Sequence, residues 1–230
     1  MKLYLNEQAI TIHPILLKRL GYGTQGKVYK YKGEALKIFK RDIRDLSLED
    51  CDYLKDINTN RILLPNKLLT NSDGMLTGYT TELISKEKLD EVYNLSKDVI
   101  VNEFYEVSKE IKLLSNNYIF INDWNITNFM YDGMFRFVDS GYYKIDYLHA
   151  FEQNEINKYN NEVFNNFVFM ELITEKFYPH YKTGLLTSSM VKAHERRYKE
   201  LGCKLIGEYI EATMDKNDTF LEYVKKSDRY

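Results

Sequence analysis

The sequence predicts an α+β fold in two lobes: a small antiparallel β-rich lobe with one helix over residues 1–84, and a larger, mostly helical lobe over residues 85–230. Two observations carry this. Up to about Ser85 the apolar residues alternate in short runs separated by tight-turn signals, the pattern of half-buried strands. Beyond Ser85 they recur at helical spacing, with one strand pair in the middle. Apolar residues make up 44% of the 230, enough to supply a core across both lobes, and no Pro/Gly/Ser linker separates them.

Taken in order, Met1–His13 has the pattern of an extra strand or hairpin at the front. Ile15–Gly21 and Gly26–Tyr31 are apolar-alternating runs on either side of a glycine-rich turn. Lys32-Gly33 is a two-residue turn signal, and Glu34–Phe39 is the third strand. Leu46–Ile57 changes period: Leu46, Tyr53, Leu54 and Ile57 fall at near-helical spacing, Ser47 is the N-cap, and Glu49-Asp50 lie in the first turn. Ile62–Thr70 and Met75–Ile84 flank Asn71-Ser72-Asp73-Gly74, a hairpin signal.

Leu89–Leu114 reads as helix, with Val92, Leu95, Val99, Phe104, Val107, Ile111 and Leu114 forming one stripe. Tyr118–Ile121 is a short apolar run. Asn128–Tyr131 and Met134–Val138 flank Asp132-Gly133, a second hairpin signal. Asp123 and Asn128 therefore fall on the loop before that hairpin and Asp139 just after it. Two carboxylates and an amide converge at the end of a rigid strand pair, a suitable way to hold a metal–phosphate site.

Composition narrows the functions. The net charge of −2 argues against nucleic acid as the main partner. No run is apolar and long enough to span a membrane, and Asn6, Glu7 and Gln8 interrupt the first residues where a secretory signal would be apolar. Cys51 and Cys203 lack CxxC spacing and read as two buried free thiols in a reducing compartment. Together these predict a cytoplasmic location. His13, His149, His180 and His194 are too scattered for a zinc site. Lys192, His194, Arg196, Arg197 and Lys199 read as a solvated basic face.

The chemistry lies in three motifs. In Gly21-Tyr22-Gly23-Thr24-Gln25-Gly26-Lys27-Val28 the glycines let the backbone bend over a triphosphate and bring N–H groups near its oxygens, and Val28 would cover one face of the base. The β-prone residues after Gly26 make this a strand–turn–strand, unlike a dinucleotide loop, which opens a helix. Lys37, in Ala35-Leu36-Lys37, is a cation on an apolar strand and needs a partner or must point outward from an edge strand. Glu49 is the candidate, with Asp52 and Asp45 as alternatives. In Asp123-Trp124-Asn125-Ile126-Thr127-Asn128, Asp123 would accept the proton of an acceptor hydroxyl. Asn128 would bind Mg²⁺ through its amide oxygen, and Asp139 would bridge the metal to the β- and γ-phosphates.

These motifs resemble the protein-kinase superfamily. Gly21 to Val28 matches its GxGxxGxV loop, Ala35-Leu36-Lys37 the end of VAIK, Asp123 to Asn128 the DxxxxN catalytic loop, and Asp139-Ser140-Gly141 stands where DFG stands. The resemblance runs from Leu20 to Gly141 and continues in Asn161–Tyr178, where Phe164, Phe167, Val168, Met170 and Leu172 are similar to the buried central helix of the large lobe. It implies a bilobal kinase-like fold and an ATP- and Mg²⁺-dependent kinase with a protein Ser/Thr hydroxyl as acceptor. It also implies Thr81 as gatekeeper, the backbone of Glu82 and Ile84 facing adenine, and Met130 as the lower wall of the base pocket. A small-molecule kinase and a nucleotide-binding regulatory scaffold are the alternatives. Ile121-Asn122 replaces His-Arg, Asn125 replaces a lysine, no APE follows, and only 22 positions separate Asp139 from Asn161. These departures imply a minimal kinase that is not switched by phosphorylation of its activation segment.

Overall fold

Three of the predicted turns set the sheet. Lys32 and Gly33 both take positive φ, 47° and 86°, which a two-residue hairpin turn requires. Asn71 folds the next one, its side-chain oxygen accepting the N–H groups of Asp73 and Met75 at 2.9 Å while Gly74 takes φ 75°. Asn6 and Glu7 close the predicted hairpin at the front. The structure is a computed structural model and describes residues 3–40, 46–84, 89–175 and 184–227.

Seven strands form one antiparallel sheet: β1 Leu3–Leu5, β2 Gln8–Ile10, β3 Arg19–Tyr22, β4 Gly26–Tyr31, β5 Glu34–Phe39, β6 Lys67–Asn71 and β7 Leu76–Glu82. Their order is β2-β1-β6-β7-β5-β4-β3. The register pairs Lys37 with Val28 and Tyr79, and Ala35 with Thr81. Directly opposed residues share a face, so Val28, Ala35, Lys37, Tyr79 and Thr81 stand on one side. Leu36 and Ile38 stand on the other, packed with Leu3 and Leu69 under the β1–β2 hairpin.

Helix α1, Leu48–Leu54, starts at Ser47 as predicted. The Ser47 hydroxyl accepts the Asp50 N–H at 3.0 Å, and the Asp50 carboxylate accepts the Ser47 N–H at 2.8 Å. The helix buries Cys51 and Leu54. Cys51 is a free thiol, pushed up to about 12 by burial first, and Cys203 is free and half-buried.

The predicted helix over 89–114 is two helices, α2 Leu89–Val92 and α3 Lys97–Asn116. The break has a long-range cause. The Leu95 and Tyr93 carbonyls accept the N–H groups of Phe220 and Leu221 at 2.9 Å, and Ser96 bridges Thr219. Val99 is exposed and Ile100 takes its place in the buried stripe. Two short antiparallel pairs follow: β8 Ile119–Phe120 with β11 Lys144–Ile145, and β9 Phe129–Tyr131 with β10 Phe135–Phe137, the latter turned at Gly133. Helix α4, Gln153–Phe167, runs into a π-helical stretch, Val168–Glu175. Phe164, Phe167, Val168 and Leu172 are buried along it, whereas Met170, expected among them, is exposed. Helices α5 Gly184–Glu200, α6 Ile206–Thr213 and α7 Phe220–Ser227 complete the described chain. His194 on α5 is not part of a basic face. It is buried against Phe169, with Nδ1 2.7 Å from the Tyr209 hydroxyl, and burial lowers its pKa to about 4.

The architecture is thus the predicted α+β one, a β-rich part with one α-helix among its described residues and a mostly helical part. One hydrophobic core runs through both, joining Leu54, Leu68 and Tyr79 to Phe104, Ile111 and Phe164. A clasp reinforces the junction. The Glu110 carboxylate on α3 accepts the backbone N–H groups of Asn60, Arg61 and Ile62 at 2.9–3.0 Å. Arg61 pairs with buried Glu103, and the Leu63 N–H reaches the Phe137 carbonyl at 2.8 Å.

Candidate functional site

Lys37 is the centre of the arrangement. Its strand buries it, with only 6% of its surface exposed, so its charge demands a partner. It has two: Asp139 Oδ1, in an ion pair, and Gln25 Oε1 at 2.7 Å. The ammonium also lies 5.8 Å from the ring centroids of Phe39 and Tyr79. The expected partner Glu49 is not there. In α1 the inward positions are Cys51 and Leu54, so Glu49 falls on the solvent side. Asp52 is exposed and pairs with Lys55, and Asp45 lies outside the described residues. First-turn position was a sound guide to helix capping and a poor one to helix phase.

The loop carrying Asp123 is built around amides. Asn125 Nδ2 donates to Asp123 Oδ1 at 2.7 Å, and Asn128 Nδ2 donates to Asp123 Oδ2 at 2.9 Å. Asn125 Oδ1 in turn accepts the N–H groups of Thr127 and Asn128, at 3.0 and 3.2 Å, and the Thr127 hydroxyl. Asn125 is therefore the organiser of the loop, a role that its reading as a replaced lysine missed; its Asx-turn position was the available signal. Trp124 anchors the loop from below, its ring 4.6 Å from Phe137 and 4.7 Å from Phe164. The Ile126 N–H bonds to the Glu171 carboxylate in the π-helical stretch. Burial raises the Asp123 carboxyl above the usual range, the Asp139 charge adding to this, while the two amides and Lys37 pull the other way.

Asp139 follows directly. The Val138 N–H bonds the Asn128 carbonyl at 2.8 Å, which fixes the end of the hairpin beside the loop. Asp139 takes φ 71°, unusual for a residue with a side chain, and its Oδ1 accepts the Gly141 N–H at 3.1 Å. Ser140 is buried next to Tyr79, and their hydroxyls approach without reaching full hydrogen-bond geometry. Burial, then the Asp139 charge, holds the Tyr79 phenol well above its ordinary pKa, so it stays neutral.

Of the remaining predicted residues, Val28, Ala35 and Thr81 share the face of Lys37. Gly23 N–H bonds the Gly26 carbonyl at 2.9 Å, closing the loop. Only Gly26 is sterically required: a Cβ there would overlap the Ile38 carbonyl and lie 3.3 Å from Phe39 Cα, whereas Gly21 and Gly23 have open space. Ile84 is buried and Met130 half-buried, opposite Arg136 in the β9–β10 pair. The Glu82 side chain turns to Arg136, at 3.3 Å. Arg136 was missed by sequence reasoning. It is buried, pairs with Asp132 at 3.1 Å and reaches the Asn60 carbonyl, tying β7 to the second hairpin. A charge inside Phe-Arg-Phe was the available signal.

The donors fit a magnesium nucleotide. Asp139 offers carboxylate oxygen and Asn128 the amide oxygen left over once its Nδ2 bonds Asp123, ligands that suit a hard cation. Among the described residues no three His, Cys, Asp or Glu side chains cluster into a metal cage, so phosphate oxygens would have to complete the shell. No helix among the described residues is long and apolar enough to cross a membrane.

No protein-family model and no curated protein matches the chain. Among solved structures it is similar to the Cydia pomonella granulovirus kinase PK-1, at 21% identity and a TM-score of 0.44. The match covers 56% of this chain and 51% of that one, so the chain spans about half the length of the viral structure.

Proposed function

We propose that this chain is an ATP- and Mg²⁺-dependent phosphotransferase that moves a phosphoryl group to a hydroxyl, with a protein Ser/Thr side chain as acceptor. The observation that carries this reading is the contact between Lys37 and Asp139, 102 positions apart, beside a loop that presents Asp123 and Asn128. Lys37 would hold the α- and β-phosphates and Val28, Ala35 and Thr81 the base side, with the backbone of Glu82 and Ile84 and the side chain of Met130 completing the pocket. Asp139 and Asn128 would hold Mg²⁺, which when bound neutralises the charge of the triphosphate. Asp123 would orient the acceptor hydroxyl and take its proton. Its raised pKa makes it a better base than an exposed aspartate, and both of its oxygens are already positioned by amides.

The test is incubation of the pure protein with labelled ATP and Mg²⁺, alone and with lysate. Label on protein Ser/Thr supports the proposal, and label on small molecules moves the acceptor to that class. Nucleotide binding with no transfer to any acceptor would make the chain a binding module.

A further inference from the structure

Gln25 sits in the glycine loop, yet its side chain does not face water. It is 3% exposed, while Thr24 and Lys27 on either side are exposed. Its carboxamide oxygen accepts from Lys37 Nζ at 2.7 Å. A Cβ built on Gly141 would overlap the same carboxamide, lying 2.6 Å from its Cδ and Nε2, so the group rests on bare backbone beside Asp139. The loop is fixed in this inward position by the Lys40 N–H to the Gln25 carbonyl at 2.8 Å and by Lys40 Nζ to the Gly23 carbonyl at 3.0 Å.

In the phosphotransferase reading, on which the role of Gln25 rests, phosphate oxygens take this space. A phosphate and the carboxamide cannot both occupy the space between Lys37, Asp139 and Gly141. We propose that Gln25 is an internal competitor of the nucleotide: it caps Lys37 with a neutral acceptor, and phosphates bind only when the loop swings it out. A carboxamide suits that role. It satisfies the buried ammonium, as a water-excluded charge requires, without the permanent ion pair that a glutamate would form. The nucleotide affinity of the resting protein is then its intrinsic affinity reduced by the fraction of loops that are open.

The experiment is a calorimetric titration of Mg·ATP into the wild type, Gln25→Ala, Gln25→Met and Gln25→Glu, with melting curves to confirm folding. Gln25→Ala removes the competitor and is expected to bind about tenfold more tightly, the usual worth of a hydrogen bond to a charged group. Gln25→Met keeps the length without the acceptor and should shift the same way, and it decides the matter if the alanine variant fails to fold. Gln25→Glu should bind more weakly than the wild type. Nucleotide affinity that is unchanged or weaker in both the Ala and Met variants overturns the competitor and leaves the phosphotransferase reading standing. Absence of nucleotide binding in all four proteins overturns both.

Discussion

Replacing Lys37 by Met tests the ion pair and the site together. The change keeps a long side chain between Phe39 and Tyr79 and removes the charge. Breaking a fully buried pair from one side costs about 3–5 kcal/mol. Asp139 retains 29% of its side-chain surface in water, so its share falls to about 1–2 kcal/mol. The Gln25 oxygen loses its donor, about 1 kcal/mol more, and the Met thioether recovers about as much by packing against the two rings. The expected net loss is about 1–2 kcal/mol, a fall in Tm of roughly 2–8 °C at this chain length. Phosphotransfer should vanish while the protein stays folded. The assay is a melting curve beside a labelled-ATP assay, repeated for Asp139→Asn and for the double variant. If the contact carries the energy, the double variant costs about 1 kcal/mol less than the two single losses added together. Strict additivity would refute the pairing, and wild-type transfer in Lys37→Met would place the phosphate cation elsewhere.

Asp139→Ala should weaken Mg·ATP binding and abolish transfer; wild-type turnover there would remove the metal assignment. Asp123→Asn should bind Mg·ATP about as tightly as the wild type and transfer at least roughly a hundredfold more slowly. Because burial raises the Asp123 pKa, the base is protonated, and the wild-type rate falls, at a higher pH than an exposed aspartate would dictate; a rate flat down to the ordinary carboxylate range would contradict this. The same upward shift makes the acid form favour folding, so Asp123 contributes stability below its unfolded pKa and loses it as pH rises through the folded value. Gly26→Ala forces a methyl group into the Ile38 carbonyl and should cost about 1–3 kcal/mol by thermal melting, whereas Gly23→Ala should melt within about 1 kcal/mol of wild type. The segment after Gly141 is already held without phosphate, by the β8–β11 pair, by Phe151 N–H to Asp146 at 3.0 Å and by the Tyr147 hydroxyl to Asp50 at 3.0 Å. Phosphatase-treated protein should keep its full rate, and an activity loss reversed by rephosphorylation between Gly141 and Asn161 would overturn that.

What the sequence made legible was local. Turns at Lys32-Gly33, Asn71–Gly74 and Asp132-Gly133 and the Ser47 cap depend on residues within a few positions of each other, and all appear where the pattern places them. Sequence separation hid the rest. The helix break at 93–96 answers to Thr219–Leu221, the partner of Lys37 lies 102 positions away, and Gln25 turns inward because Gly141 leaves room for it. Errors of phase came from periodic reading itself. At Val99 and Met170 a shift of one position moves a side chain by roughly 80–100° around the helix axis, enough to exchange the core neighbours Ile100 and Phe169 for solvent.

The clasp at Asn60–Leu63 has a consequence for synthesis. Its partners are Glu103, Glu110, Arg136 and Phe137, and Asn60 and Arg136 are 76 positions apart. At about 5–20 residues per second, the ribosome makes the loop roughly 4–15 s before the last of those partners. Until Glu103 is made, 42 positions later, the Arg61 guanidinium has no carboxylate, and until Asp139 is made the face of Lys37 lacks its counter-charge. The clasp that joins residues 60–63 to the rest of the chain can therefore close only after α3 and the β9–β10 pair have been made.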